Sequence, residues 1–253
     1  MSKSVVFLLF FFFYGFFAAA QKQGPTLCYH QIRDWKTKDS KSDKDYIIPP
    51  ATFKSQMKML ADSGYHTILP DELYDYLVAG KTLPAKPIML TFDDTNEAQY
   101  RVARPQFRKY GFRAVYFIIT GKIGTHPWFM NAQQIKHLSD EGNVIGCHTL
   151  SHTNFKRLKG MSWNTEIAQP KKQLEEITGK PVDYFAFPFG YWNRAGLPEL
   201  HNLGFNAAFQ LDAPRDPKDP LMTIRRIVAC GYWSSQKLYD NIKHDFGTPQ
   251  TKD

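Results

Sequence analysis

Residues Pro87–Phe92 (PIMLTF) are apolar but for one threonine, and the run ends on two aspartates, Asp93-Asp94. Successive side chains of a strand point to opposite faces, so a run apolar at nearly every position is covered on both faces, as in a parallel sheet. Similar short runs recur, each followed by a longer amphipathic segment. They predict strands at Thr26–His30, His66–Leu69, Ala114–Ile119, Val144–Cys147, Tyr184–Phe187, Ala207–Phe209 and Ile227–Cys230. Between them the pattern predicts a helix over Phe53–Asp62 capped by Thr52, one from Pro70 to Gly80, and one from about Ala98 to Tyr110. Further helices are expected over Ala132–Glu141, from Ser162 to Ile177 with a break at Pro170, and over Ser235–Phe246. The charged stretch Lys36–Tyr46 lacks an apolar period and is expected to be a loop. Alternating strands and helices in this number predict an α/β barrel of parallel strands. In such a barrel the chemistry gathers where the strands end at their C-terminal edge.

The totals exclude several classes. The chain has 253 residues, 43% hydrophobic and 22% charged, which is a globular balance rather than a disordered one. The formal charge is +8, but the lysines and arginines are scattered, so a solvated basic surface is expected and no nucleic-acid partner. Residues 1–20 read as a signal peptide: Lys3, an apolar run from Val5 to Phe17, then Ala18-Ala19-Ala20. Residues 21–253 are then one catalytic domain, secreted or periplasmic, with no membrane span left after cleavage. Three cysteines, Cys28, Cys147 and Cys230, make a poor disulfide framework and allow one bridge at most.

Four segments at strand ends carry polar residues suited to chemistry. Asp93 and Asp94 close the third strand. Two acids there need a cation or strong hydrogen bonds, and a metal ion can hold one as ligand and leave the other as base. His148-Thr149-Leu150-Ser151-His152 leaves another strand, and histidines at i and i+4 share one helical face. One aspartate and two histidines supply three ligands, the number a catalytic zinc commonly takes. His30 ends the first strand and suits proton donation near neutral pH. In Phe185-Ala186-Phe187-Pro188-Phe189-Gly190, the Pro-Gly turn can aim the Phe189 amide at a developing oxyanion. Trp128, Trp192 and Trp233 are either sugar-stacking or packing residues. His66, His126, His137, His201 and His244 are expected to be structural or exposed.

These motifs resemble those of the polysaccharide deacetylase family with the NodB homology domain, carbohydrate esterase family 4. Thr91–Asp94 (TFDD) is similar to its first motif, His148–His152 (HTLSH) to its second and FAFPFG to its third. Tyr29-His30 is similar to the arrangement in the poly-N-acetylglucosamine deacetylase branch. The resemblance implies a distorted (β/α)7-type barrel that removes N-acetyl groups from a polysaccharide. It implies Asp93 as base, His30 as acid, the Phe189 amide as oxyanion donor, and Asp94, His148 and His152 as ligands of one divalent metal. Zn2+ is the first choice, and Fe2+, Co2+ or Ni2+ also suit these donors. An O-acetylated glycan such as acetyl-xylan, or a barrel that binds sugar without turnover, are the alternatives. The chain departs from the family in three ways. Thr95 stands where the first motif usually has Gly, and is expected to narrow the site. The third motif lacks its arginine, a gap that Arg225 or Arg226 can fill. The usual late histidine motif is missing, so the acid role falls to His30.

Overall fold

A computed structural model describes residues 23–247, so the expected signal peptide lies outside the described residues. The strands are β1 (Thr26–Tyr29), β2 (Gln31–Ile32), β3 (Ile47–Ile48), β4 (His66–Thr67), β5 (Pro87–Phe92), β6 (Val115–Ile118), β7 (Val144–Cys147), β8 (Tyr184–Ala186), β9 (Ala207–Phe209) and β10 (Ile227–Val228). The helices are α1 (Lys41–Tyr46), α2 (Pro50–Asp62), α3 (Pro70–Ala79), α4 (Arg104–Tyr110), α5 (Ala132–Asp140), α6 (Gln169–Thr178), α7 (Leu197–Asn202) and α8 (Ser235–Phe246). The main sheet runs β10-β1-β5-β6-β7-β8-β9, and every pairing in it is parallel.

The segment Ile224–Val228 brings the two ends of this sheet together. Ile224 donates its N–H to Ala208 and accepts from Gln210 N–H, continuing the ladder of β9. Three residues later Ile227 sits opposite Leu27 of β1. The result is the expected (β/α)7-type barrel. Its distortion begins at β4, which pairs with Pro87 and Ile88, while β6 pairs only with Thr91 and Phe92.

Alternation along the strands divides the core in two. Ile88, Leu90 and Phe92 face the helices, with Leu27, Tyr29, Tyr116, Ile118, Ile145 and Phe185 from the neighbouring strands. Met89, Val115, Phe117, Tyr184, Ala186 and Phe209 form the inner cluster. Period two therefore places Cys28 and His30, Thr91 and Asp93, and Gly146 and His148 on the inner side, at the C-terminal ends of β1, β5 and β7.

Several boundaries differ from the sequence reading, each for a local reason. The stretch expected to be a loop contains α1, nucleated by a capping box between Ser40 and Asp43. It buries no residue, so it has no apolar period to read. Thr52 lies inside α2, which starts at Pro50 because proline suits the first helical turn. Pro170 does not break its helix. A wide π-helical turn, Asn164–Ala168, precedes it and absorbs the missing donor. A second such turn, Gln99–Ala103, precedes Pro105 in the same way. The short pair β2 and β3 had no sequence signal. All three cysteines are free thiols.

Gly146 tests the inner packing. A β-carbon there would meet the Phe117 ring at 2.5 Å and Tyr184 O at 3.0 Å. Gly146→Ala is expected to cost about 1–3 kcal/mol of stability through overpacking. A shift of the urea midpoint to lower concentration, with an unchanged slope, is the measurement.

Candidate active site

The inner side chains meet at the C-terminal rim. Asp93 is buried, and Arg226 grips both its oxygens, Nη1 to Oδ1 at 2.7 Å and Nη2 to Oδ2 at 2.8 Å. Arg226 is itself fully buried. Its Nε donates to Gln210 O, its Nη1 also reaches Thr91 Oγ1, and its guanidinium lies over the Phe117 ring. Burial by itself raises the Asp93 carboxyl, but the charges of Arg226 and His148 outweigh it and hold the group well below the usual carboxylate range. Asp93 is thus ionised although buried. Of the two candidate arginines, Arg226 is the one on Asp93, while Arg225 pairs with Asp245 on the outside.

Asp94 leaves the strand line through a left-handed backbone, φ +77°. That turn brings its Oδ1 to 3.6 Å from His148 Nε2 and 3.4 Å from His152 Nε2. The two histidines do not share a helix face, as the i, i+4 spacing suggested. Residues 148–152 are irregular, with left-handed φ at Thr149 (+67°) and His152 (+63°). The segment follows β7 directly, so strand geometry directs His148 inward and the loop turns His152 back to it. Among the described residues, five of the six non-glycine residues with positive φ lie in or directly beside the motifs of this rim: Asp94, Thr95, Thr149, His152 and Phe189. Such backbone costs energy and gathers at functional sites.

The two π-helical turns brace these loops. From the first, buried Gln99 donates its side-chain amide to the carbonyl oxygens of both His30 and Asp93. From the second, Glu166 accepts from Ser151 N–H and Ser151 Oγ, and its own carbonyl accepts from Leu150 N–H. Sequence reasoning missed both residues, since neither lies in a motif. It gave Thr91 no contact of its own within the first motif and gave Cys28 no place in the site, although alternation sets them two residues before Asp93 and His30. Thr95, expected to narrow the site, is fully buried, and its Oγ1 accepts from Ile119 N–H at 2.7 Å.

Asp94, His148 and His152 fit a cation. Their donor atoms lie within 4.8 Å of one another. Tetrahedral zinc separates its ligand atoms by about 3.3 Å, close to the two distances above. Asp94 Oδ1 is buried and has no hydrogen-bond partner among the described residues. His148 Nδ1 lies 2.8 Å from Ala186 O, an acceptor, so Nδ1 carries the proton and Nε2 keeps its lone pair in the neutral ring. Burial alone lowers His148, but Asp93 and Asp94 outweigh it and raise its pKa, so the pocket favours positive charge.

His30 stands at the end of β1, partly exposed, edge-on to the Tyr46 ring at 5.0 Å. Burial lowers its pKa. Phe189 occupies a short turn with φ +62°, and its ring packs 4.4 Å from His152. Phe189 and Tyr191 are half exposed beside the site. Of the three tryptophans singled out, Trp192 and Trp233 pack against the core, and only Trp128 is exposed.

Residues 80–208 match the sequence model of the polysaccharide deacetylase family. The chain belongs to this family. It is 29% identical over 181 residues to YxkH of Bacillus subtilis, a protein named for the same family. That match covers 72% of this chain and 62% of the relative, so the chain spans less than two thirds of it. It is 27% identical over 207 residues to the poly-beta-1,6-N-acetyl-D-glucosamine N-deacetylase of Staphylococcus aureus, covering 74% of this chain and 71% of that one. Among solved structures, the fold is similar to Streptococcus pyogenes deacetylase PplD in complex with acetate. The TM-score is 0.79 at 24% identity, covering 87% of this chain and 97% of that one.

Removing the guanidinium leaves a buried carboxylate unpaired. Arg226→Met in metal-free protein is expected to cost about 3–5 kcal/mol at neutral pH. The folded pKa of Asp93 lies below its unfolded value of about 3.9, so the pair stabilises above roughly pH 4 and fades as pH falls through the folded value. In the variant, burial without the arginine raises Asp93, so the penalty shrinks on acidification. Denaturant titrations at pH 7 and pH 4 measure both effects.

Proposed function

We propose that the protein is a secreted, metal-dependent deacetylase that hydrolyses N-acetyl groups of an N-acetylglucosamine-containing glycan. One observation carries the reading. The Asp94–His148–His152 cluster stands beside an ionised carboxylate that an arginine holds in place, with Asp93 Oδ2 3.9 Å from His148 Nε2. That arrangement supports a three-ligand cation site next to a base, the minimum that metal-assisted hydrolysis of an amide requires. The Staphylococcus aureus relative, by its name, acts on such a polymer.

In this reading Asp94, His148 and His152 hold one divalent ion, Zn2+ first among the candidates. When bound, the ion supplies Lewis-acid polarisation of the acetyl carbonyl and lowers the pKa of water. Asp93 takes the proton from the attacking water. Its depressed pKa makes it a modest base that is ionised at every working pH. Arg226 keeps it aimed, because both oxygens are tied to one rigid fork. The amide of Phe189 faces the oxygen of the tetrahedral species. His30, when protonated, gives its proton to the departing amine. A lowered pKa makes its imidazolium the stronger acid, and an amine does not leave as an anion. Products are acetate and a free glucosamine unit.

The exposed rings of Phe189, Tyr191 and Tyr46 near these residues support a polymer as the substrate. Residues 1–20 act as the export signal and 21–253 as the catalytic unit. No helix among the described residues is long and apolar enough to cross a membrane.

Acetate release from a poly-N-acetylglucosamine substrate is the test. Asp93→Asn is expected to lose about 10²-fold or more of the rate while keeping one metal ion per chain. His148→Ala is expected to lose the ion as well, read by elemental analysis. An Asp93→Asn protein as active as the parent would refute the assignment of the base. Glycan binding without acetate from wild-type protein would favour the non-catalytic alternative.

A further inference from the structure

Cys28 has no place in the reaction above, yet its thiol sits within it. Sγ donates to Asp93 Oδ2 at 3.4 Å and lies 3.9 Å from His30 Nδ1 and 4.0 Å from His30 Nε2. The three side chains present a sulfur, an imidazole nitrogen and a carboxylate oxygen whose donor atoms all lie within 4.8 Å of one another. Alternation on β1 and β5 produces this grouping: Cys28 and His30 are two residues apart on one inner face, and Cys28 pairs with Thr91, two residues before Asp93.

We propose that Cys28, His30 and Asp93 form a second, inhibitory site for a thiophilic divalent ion, distinct from the Asp94–His148–His152 cluster. The donor chemistry selects the ion. Thiolate with imidazole suits zinc and the softer ions of its class, and excludes magnesium and calcium. A tetrahedral ion with bonds near 2.3 Å to sulfur and 2.0 Å to oxygen separates those atoms by about 3.5 Å, close to the distance between Sγ and Oδ2. Arg226 occupies one acceptor direction of each Asp93 oxygen, and the Cys28 S–H occupies a second direction at Oδ2. The ion replaces that thiol proton. The S–H bond breaks heterolytically, its electron pair forms the bond to the ion, and the proton leaves to solvent, with no change of oxidation state.

Inhibition follows from which lone pairs are taken. Asp93 and His30 are the proposed base and acid, and an ion on both stops the two proton transfers together. Asp93 Oδ2 lies only 3.9 Å from His148 Nε2, so the second ion sits beside the first and shares its mouth. The nearby Arg226 charge weakens the second site, so it fills only when metal is in excess. The inhibition arm rests on the deacetylase reading; the binding arm does not.

The experiment titrates cadmium into mature protein already holding one equivalent of zinc. It follows the ultraviolet thiolate-to-cadmium charge-transfer absorption alongside acetate release. Wild-type protein is expected to develop the band with one-site saturation. Acetate release is expected to fall about 10²-fold or more with the same midpoint, the loss that follows when acid and base are both blocked. Cys28→Ser, which keeps the side-chain size, and Cys28→Val are expected to show no band and to hold their own rates through the titration. No band in wild-type protein overturns the proposal. So does an undiminished band in Cys28→Ser, which would place the ion on half-exposed Cys230, whose Sγ lies 3.3 Å from Asp45 Oδ1. A preparation that releases no acetate but shows the Cys28-dependent band sinks the deacetylase reading and leaves the site standing.

Discussion

The buried pair of Asp93 and Arg226 is the interaction on which the rest of the molecule depends. Each charge alone would be costly in the lumen of the barrel, and the two together are tolerated because the geometry is a bidentate fork, with Nε and the second Nη1 hydrogen also bonded, to Gln210 O and Thr91 Oγ1. Arg226 belongs to the segment that closes the ring between β9 and β1, and Asp93 follows β5, beside β1. Barrel closure and the charge state of the carboxylate are therefore one event. The Phe117 ring beneath the guanidinium and Thr91 beside it show that the inner cluster is built around this cation.

Around that fixed point the rim is strained and braced. Left-handed backbone at Asp94, Thr95, Thr149, His152 and Phe189 turns side chains toward one another that regular strands would point apart. The energy this costs is offset from behind. Gln99 ties two strand ends together through their carbonyls, and Glu166 holds the loop between the two histidines. Both braces come from π-helical turns that precede a proline. The wide turn solves the missing-donor problem of that proline and presents a side chain to the site.

The barrel was legible because parallel strands covered on both faces carry almost no polar residues. Pro87–Phe92, Val144–Cys147 and Ala207–Phe209 have the boundaries their apolar runs suggested. Elements that bury nothing were not legible, and α1 is the clearest case. The spacing of His148 and His152 pointed to a helix, and the structure uses a strained loop instead, because His148 is still governed by the strand before it. Arg226 was one of two neighbours in the sequence. Their separation into an inner and an outer residue needs the direction of the closing strand.

The sequence by itself determined the alternating strand and helix order, the family motifs and the identity of the polar residues at strand ends. Those follow from local periodicity and composition, which a single chain displays directly. Only the tertiary structure decided which arginine meets Asp93, that Cys28 lies against Asp93 and His30, and that Thr95 turns to Ile119. Apart from Cys28 and His30, two positions apart on β1, those contacts join positions 24 to 133 residues apart. They depend on strand register and ring closure, which no local pattern encodes.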